Sequence, residues 1–208
     1  MSLPRFDAEG RAAIERNLAG FEVAPLPALG LKRAAVCLVV TDDGQGAAAL
    51  LLTRRVHGLR AHSGQFALPG GRVDEGESAE DAARRESMEE IGLALDAGAI
   101  LGRLDDYPTR SGYLITPVVA WSAPDAAMRA NPDEVARIYR VPLTDLNRPG
   151  SPEFFAIEQS ERPVIRYPLL GTQIHAPTAA VLYQFMEVAV RGRATRVAHL
   201  EQPAWAWR

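Results

Sequence analysis

The chain has 208 residues, a length that suits one domain spanning 1–208, and 47% apolar with 24% charged residues predicts a packed core without disorder. A formal net charge of −3 gives no global electrostatic case for nucleic acid or an anionic membrane as a partner, so any anionic substrate must be held by local arginines or a metal. No apolar run approaches the roughly 18–20 residues of a membrane span and no signal peptide opens the chain, so a cytoplasmic protein is expected.

Residues 5–20, "RFDAEGRAAIERNLAG", have helical spacing and end at a glycine, which predicts a short N-terminal helix. "FEVAPLPALGL" is a proline-rich connector. "KRAAVCLVVTDD" reads as a buried strand, "DDGQG" as a turn and "AAALLLTRR" as a second strand, together a hairpin. The single cysteine, Cys37, lies in the first of these strands, so no disulfide can form within the chain and a buried thiol is expected. After the irregular "HGLRAHSGQFALPGG", a helix is expected from Ala79 to Ile91, with Ser78 as N-cap and Gly92 as its stop. "AILGRLDDYPT", "YLITPVVAWSA" and "EVARIYRVPL" read as strands, the last two separated by the loop "PDAAMRANPD". A hairpin over "FFAIEQSERPVIRYPL" and an amphipathic helix over "APTAAVLYQFMEVAVRG" complete the pattern, and the tail from Arg193 onward has no assigned element. Irregular alternation of strands and helices predicts an α/β protein, a mixed sheet with helices on both faces.

Glu86, Glu89 and Glu90 fall within about 100° of one another on the helix, one face carrying three acids. Glu86 and Glu90 are like charges four residues apart, which costs an isolated helix ~0.2–0.5 kcal/mol. Along the helix only Glu89 has a cation at pairing distance, Arg85, so two of the three charges are expected to lack a partner. Ala79, Ala82 and Ala83 continue the same side, which aims the acids at a cleft. Two readings of the acids alone are open: a solvated acidic patch, or hard oxygen ligands for a divalent cation. The preceding "LPGG" lets backbone approach the acidic segment closely, because glycine carries no side chain.

The spacing of Gly71, Glu77, Arg85-Glu86, Met88, Glu89-Glu90 and Gly92-Leu93 matches the Nudix box over residues 71–93, and the chain resembles a Nudix hydrolase. Ser87 stands where the box usually carries an aliphatic residue. The resemblance implies a Nudix-type α/β/α sandwich and hydrolysis of a nucleoside diphosphate linked to another moiety, a small-molecule nucleotide substrate. It also implies Mg²⁺ or Mn²⁺ held by Glu86, Glu89, Glu90 and the Gly70 carbonyl, with Glu77 and Arg85 as an ion pair bracing the loop. The chemistry agrees: attack of water on a doubly anionic pyrophosphate is slow until cations neutralise its oxygens and activate the water.

Upstream, "LLTRRVHGLRAHSGQFALPGG" resembles the signature of the coenzyme A pyrophosphatase subfamily. Leu51, Leu52, Thr53, Arg55, Arg60, Gly64, Pro69, Gly70 and Gly71 match it in register, whereas Val56 and Leu68 depart from it. This implies a substrate site that includes Arg55, Arg60 and Gly64, with the arginines suited to phosphate oxygens such as the 3′-phosphate of coenzyme A. His62 reads as an incidental loop histidine. For the general base, Glu134 in "NPDEV" is the first candidate, with Asp133, Asp105 and Asp106 behind it, while Glu86 or Glu90 could serve equally. Three functions remain open at this point: a coenzyme A pyrophosphatase giving 3′,5′-ADP and 4′-phosphopantetheine, a Nudix hydrolase for ADP-ribose, dinucleoside polyphosphates or other nucleotides, and a catalytically silent nucleotide sensor.

Overall fold

The computed structural model describes residues 3–56 and 65–207. Its central strand is β1 (Lys32–Asp42), whose near-continuous run of buried residues marks a strand covered on both faces. β1 pairs antiparallel with β2 (Ala48–Arg55) at Val40↔Leu50, which is the hairpin expected from the sequence. The short β3 (Phe66–Ala67) extends the β2 edge, and β4 (Gly70–Arg72) pairs antiparallel with the start of β1 at Val36↔Gly70. The chain then forms α2 (Ala79–Ile91), preceded by the N-terminal α1 (Ala8–Ala19). After α2 come β5 (Ile100–Arg103), β6 (Tyr107–Pro108) and β7 (Tyr113–Trp121). β7 lies parallel to β1 over Lys32↔Tyr113 to Val40↔Trp121, the pairing that demands the long crossover carrying α2. β8 (Val135–Pro142) adds to the far side of β2 and completes an eight-stranded mixed sheet.

Side-chain alternation along β1 sorts the core into two layers. Ala35, Cys37 and Val39 face Ala79, Ala82, Ala83 and Ile91 of α2. Leu38 and Val40 face the opposite layer, with Ile14 and Leu18 of α1 and Leu182 and Phe185 of the last helix, α4 (Thr178–Phe185). The result is the layered α/β arrangement expected, with helices on both faces. Between β8 and α4 the chain adds a short helix α3 (Leu143–Leu146) and a separate three-stranded antiparallel sheet, β9 (Glu153–Ile157), β10 (Ser160–Leu169) and β11 (Thr172–His175). No helix among the described residues is long and apolar enough to cross a membrane.

Several boundaries differ from the sequence reading. The first helix begins at Ala8, because Asp7 is its cap and accepts a hydrogen bond from the Gly10 N–H at 2.8 Å. The strand expected over "AILGRLDDYPT" is interrupted between β5 and β6, where Asp105 and Asp106 turn inward to accept hydrogen bonds. The helix expected over 176–192 is α-helical only to Phe185. It continues as a π-turn, Met186–Val190, whose Ala189 carbonyl accepts a hydrogen bond from the Asn17 side chain at 2.9 Å. β11 was not foreseen, and the unassigned tail docks alongside β10, with the Glu201 N–H donating to the Pro163 carbonyl at 2.8 Å.

Candidate functional site

Helix α2 is fixed at both ends as its sequence suggests. The Ser78 hydroxyl accepts from the Asp81 N–H at 3.0 Å, and Gly92 leaves the helix in the left-handed region at φ 64°, where a side chain would be strained. Ser87, the departure from the box, is fully buried against Cys37, and its hydroxyl is satisfied by the Ala83 carbonyl at 2.7 Å. Burial pushes the Cys37 thiol up to about 12, with the Ser87 contact acting weakly the other way, so this cysteine is inert at neutral pH.

The glycines of β4 set how closely the acids approach the sheet. A Cβ built on Gly71 would lie 2.2 Å from the Glu86 carboxylate, so only glycine permits that carboxylate to rest against the strand. One residue earlier, the Gly70 N–H donates to Glu90 at 3.3 Å.

Arg85 is the hub of the acidic face. Its guanidinium binds both oxygens of Glu77 at 3.0 and 3.1 Å and donates to the Arg72 carbonyl at 2.9 Å, joining helix, loop and β4. The same guanidinium reaches Glu86 at 2.7 Å and Glu89 at 3.1 Å, and so bridges them. Arg55, at the end of β2, meets Glu90 at 3.3 Å. The expectation that two of the three acids lack a cation is therefore wrong. Helical spacing shows neither the contact of Arg85 with its immediate neighbour nor one spanning 35 residues of sequence.

Burial separates the acids. The Glu90 side chain is 2% exposed and that of Glu86 14%, whereas Glu89 is 54% exposed. Desolvation raises the Glu90 carboxyl to about 7 against the opposing pull of Arg55 and the Gly70 N–H, with Glu86 and Glu134 adding repulsion. Desolvation also raises Glu86, opposed by Arg85. Glu77 is lowered, chiefly by its hydrogen bonds from Arg85.

Glu134 adds a weak repulsion at both Glu86 and Glu90. The reason is a docking of its loop that sequence reasoning missed. The Arg129 N–H donates to the Ile91 carbonyl and the Asn131 N–H to the Glu90 carbonyl, both at 2.8 Å, tying residues 129–134 to the end of α2. Asp133 is exposed on this loop. The other two reserve acids are engaged elsewhere. Asp105 accepts from the Ala24 N–H, the Gln184 amide and the Arg196 guanidinium, and Asp106 accepts from the Leu26 N–H and the Thr116 hydroxyl. Both tie the connector after α1 to the main sheet, and neither is available as a base. Arg60, His62 and Gly64 lie outside the described residues.

As hard oxygen donors on one face beside a glycine strand, Glu86, Glu89 and Glu90 suit Mg²⁺ or Mn²⁺ in chemistry. Among the described residues no three possible ligands converge on one point, and Arg85 occupies the position between Glu86 and Glu89.

A mixed sheet between helices, with a glutamate-rich helix seated against a two-glycine strand, defines an α/β/α sandwich with an acidic edge. A family-wide sequence profile of the NUDIX domain matches residues 31–167, and the chain belongs to that family. It is 42% identical over 97 residues to a Photorhabdus laumondii protein described as "Uncharacterized Nudix hydrolase NudL", a match covering 46% of this chain and 52% of that one. A protein of the same description from Escherichia coli K12 is 40% identical over 116 residues, covering 55% of this chain and 59% of the relative. The matches thus span little more than half the length of these relatives. Among solved structures, a MutT/nudix family protein from Enterococcus faecalis superposes with a TM-score of 0.54 at 19% identity, over 87% of this chain and 76% of that one, and shares the fold.

Proposed function

We propose that the protein hydrolyses the pyrophosphate bond of a nucleoside diphosphate derivative with a divalent metal, Mg²⁺ or Mn²⁺, and that coenzyme A is its preferred substrate. The observation that carries this reading is the placement of Glu86 and Glu90, shielded from solvent beside main chain that glycine leaves open. Glu86, Glu89, Glu90 and the Gly70 carbonyl would hold the cation. When bound, it would neutralise phosphate oxygens and make water a stronger nucleophile.

The protein's own groups divide the remaining tasks. Arg85 holds Glu86 and Glu89 in place and anchors the loop through Glu77, a positioning role. Arg55, 3.3 Å from Glu90, would meet diphosphate oxygens next to the proposed metal ligands in preference to a remote 3′-phosphate. Arg60 and Gly64 enter the coenzyme A reading on sequence alone, with Arg60 now the residue assigned to the 3′-phosphate. Glu134 is the candidate base: its loop is hydrogen-bonded to the end of α2 through Arg129 and Asn131, and it has no proposed metal to hold.

The test is turnover of coenzyme A, dephospho-coenzyme A and ADP-ribose under one Mg²⁺ and one Mn²⁺ condition. Coenzyme A should lead dephospho-coenzyme A by roughly one to two orders of magnitude in kcat/KM, the worth of one charge-assisted phosphate contact. Preference for ADP-ribose would remove the coenzyme A assignment and leave pyrophosphate hydrolysis standing. Absence of turnover with every nucleotide would remove both and favour a nucleotide sensor.

A further inference from the structure

The two β4 glycines also line a second feature, a cavity of about 730 Å³ within the usual range for small-molecule sites. It lies on the side of the main sheet away from α2, and its far wall is built by residues 170–178 together with Gln202, Trp205 and Ala206. These segments lie beyond residue 167, where the match to the family profile ends. The wall therefore lies outside the part of the chain that the profile matches.

Its chemistry is aromatic. Trp205 sits in the 3₁₀ turn Ala204–Ala206 and meets the His175 ring edge to face, with centroids 5.4 Å apart. Both line the cavity, as does Tyr113, whose hydroxyl accepts from the Arg72 guanidinium at 3.0 Å. Trp205 is nevertheless 57% exposed, and Leu170, also on this wall, is 40% exposed. Leu170 is moreover held at φ 54°, a left-handed conformation that a branched side chain adopts only at a cost.

The tail that presents Trp205 is firmly held. The Tyr107 hydroxyl donates to the Leu200 carbonyl, the Arg162 guanidinium donates to the carbonyls of Ala198, His199 and Leu200, and buried Glu201 pairs with Arg110 at 2.5 Å. The Trp207 indole then donates to the Gln202 carbonyl at 2.9 Å, closing the turn around Trp205. Such anchoring leaves a large aromatic face unburied at the rim of a cavity that reaches the strand beside Glu86 and Glu90.

Resting on the nucleotide reading above, we infer that Trp205 and His175 bind the nucleobase of the substrate and so select for a nucleotide, while its diphosphate lies toward Gly70 and Gly71. Aromatic faces suit planar rings, and the acidic helix beyond the glycines would suit only the phosphate end, through the cation proposed above.

The experiment compares the whole chain with Trp205→Ala and Trp205→Phe by calorimetric binding of three probes: ADP, which carries the ring; inorganic pyrophosphate, which lacks it; and 4′-phosphopantetheine. Loss of one base–aromatic contact should weaken ADP about tenfold in Trp205→Ala, with Trp205→Phe retaining most of the affinity and pyrophosphate unaffected in both. KM for the hydrolysed nucleotide should rise in parallel and by more than kcat falls. Unchanged ADP affinity in Trp205→Ala would overturn the inference. So would equal weakening of pyrophosphate, or weakening of 4′-phosphopantetheine in place of ADP. If no nucleotide is hydrolysed yet ADP binding depends on Trp205, the inference stands and the hydrolase reading falls. If hydrolysis occurs and the ADP constants ignore Trp205, the reverse holds.

Discussion

Glu90 on α2 and Glu201 in the C-terminal tail are equally hidden, each with a side chain 2% exposed, and each faces one arginine. Their carboxyls nevertheless move in opposite directions. Burial would raise both. At Glu201 the Arg110 guanidinium, the Gln202 N–H and the Ser160 hydroxyl outweigh it and bring the carboxyl down to about 2. At Glu90 one arginine and one distant N–H do not outweigh it, and two neighbouring glutamates work with it, so the carboxyl rises to about 7. A buried acid fully served by donors is structural. A buried acid left short of donors among other acids marks a candidate functional site, and this separates Glu90 from the tail-closing Glu201.

The largest effect that would break this comparison is expected at Glu90. Glu90→Gln should lower turnover by at least about two orders of magnitude, since a neutral amide is a poor ligand for a hard cation. The same substitution should leave the metal-free fold intact or raise its denaturant midpoint. The folded carboxyl, lifted from 4.5 to about 7, takes up a proton in that interval, so stability grows as pH falls through it and the ionised group opposes folding above it. Full activity in Glu90→Gln would place the chemistry elsewhere.

Glu201 should give the opposite pattern on a smaller scale. Its carboxyl is depressed from 4.5 to about 2, so its contribution is complete above pH 4.5 and disappears as pH falls toward 2. Glu201→Gln should lower the urea midpoint at neutral pH, by the equivalent of about 3 kcal/mol, and flatten the acid limb of the stability curve. Equal pH dependence in the variant and the parent would contradict the assignment.

These two carboxylates were not equally visible in the sequence. Glu90 announced itself through local spacing, because helix periodicity and the intervals of residues 71–93 both act over a few turns. Glu201 sits in a tail without periodicity, and its partners Arg110 and Ser160 lie 91 and 41 residues away. Arg55 was visible as a residue but not in its contact, which crosses from β2 to α2. Glu134 was chosen for its loop position, while the two hydrogen bonds that dock this loop on α2 are main-chain contacts that no side-chain pattern reveals. Local chemistry was legible; what the fold brings together over long intervals was not.

Arg85 sharpens the comparison with a smaller change. Its guanidinium is 29% exposed and its partner Glu77 15%, between a surface pair and a buried one. Arg85→Ala should cost about 1–3 kcal/mol by chemical denaturation, and it should also reduce turnover because Glu86 and Glu89 lose their shared anchor. Arg85→Lys should recover little of either, since an ammonium cannot reproduce the fork that joins Glu77, Glu86 and Glu89. Complete rescue by lysine would show that charge alone, and not geometry, matters there.

If the acids of α2 hold a divalent cation, Mn²⁺ titrated into the whole chain and followed by the free-ion signal in electron paramagnetic resonance will show it, for the parent and for Glu90→Gln. Saturable uptake of Mn²⁺ is expected in the parent, lost or weakened at least about tenfold in the variant. Equal uptake by the two proteins would contradict it.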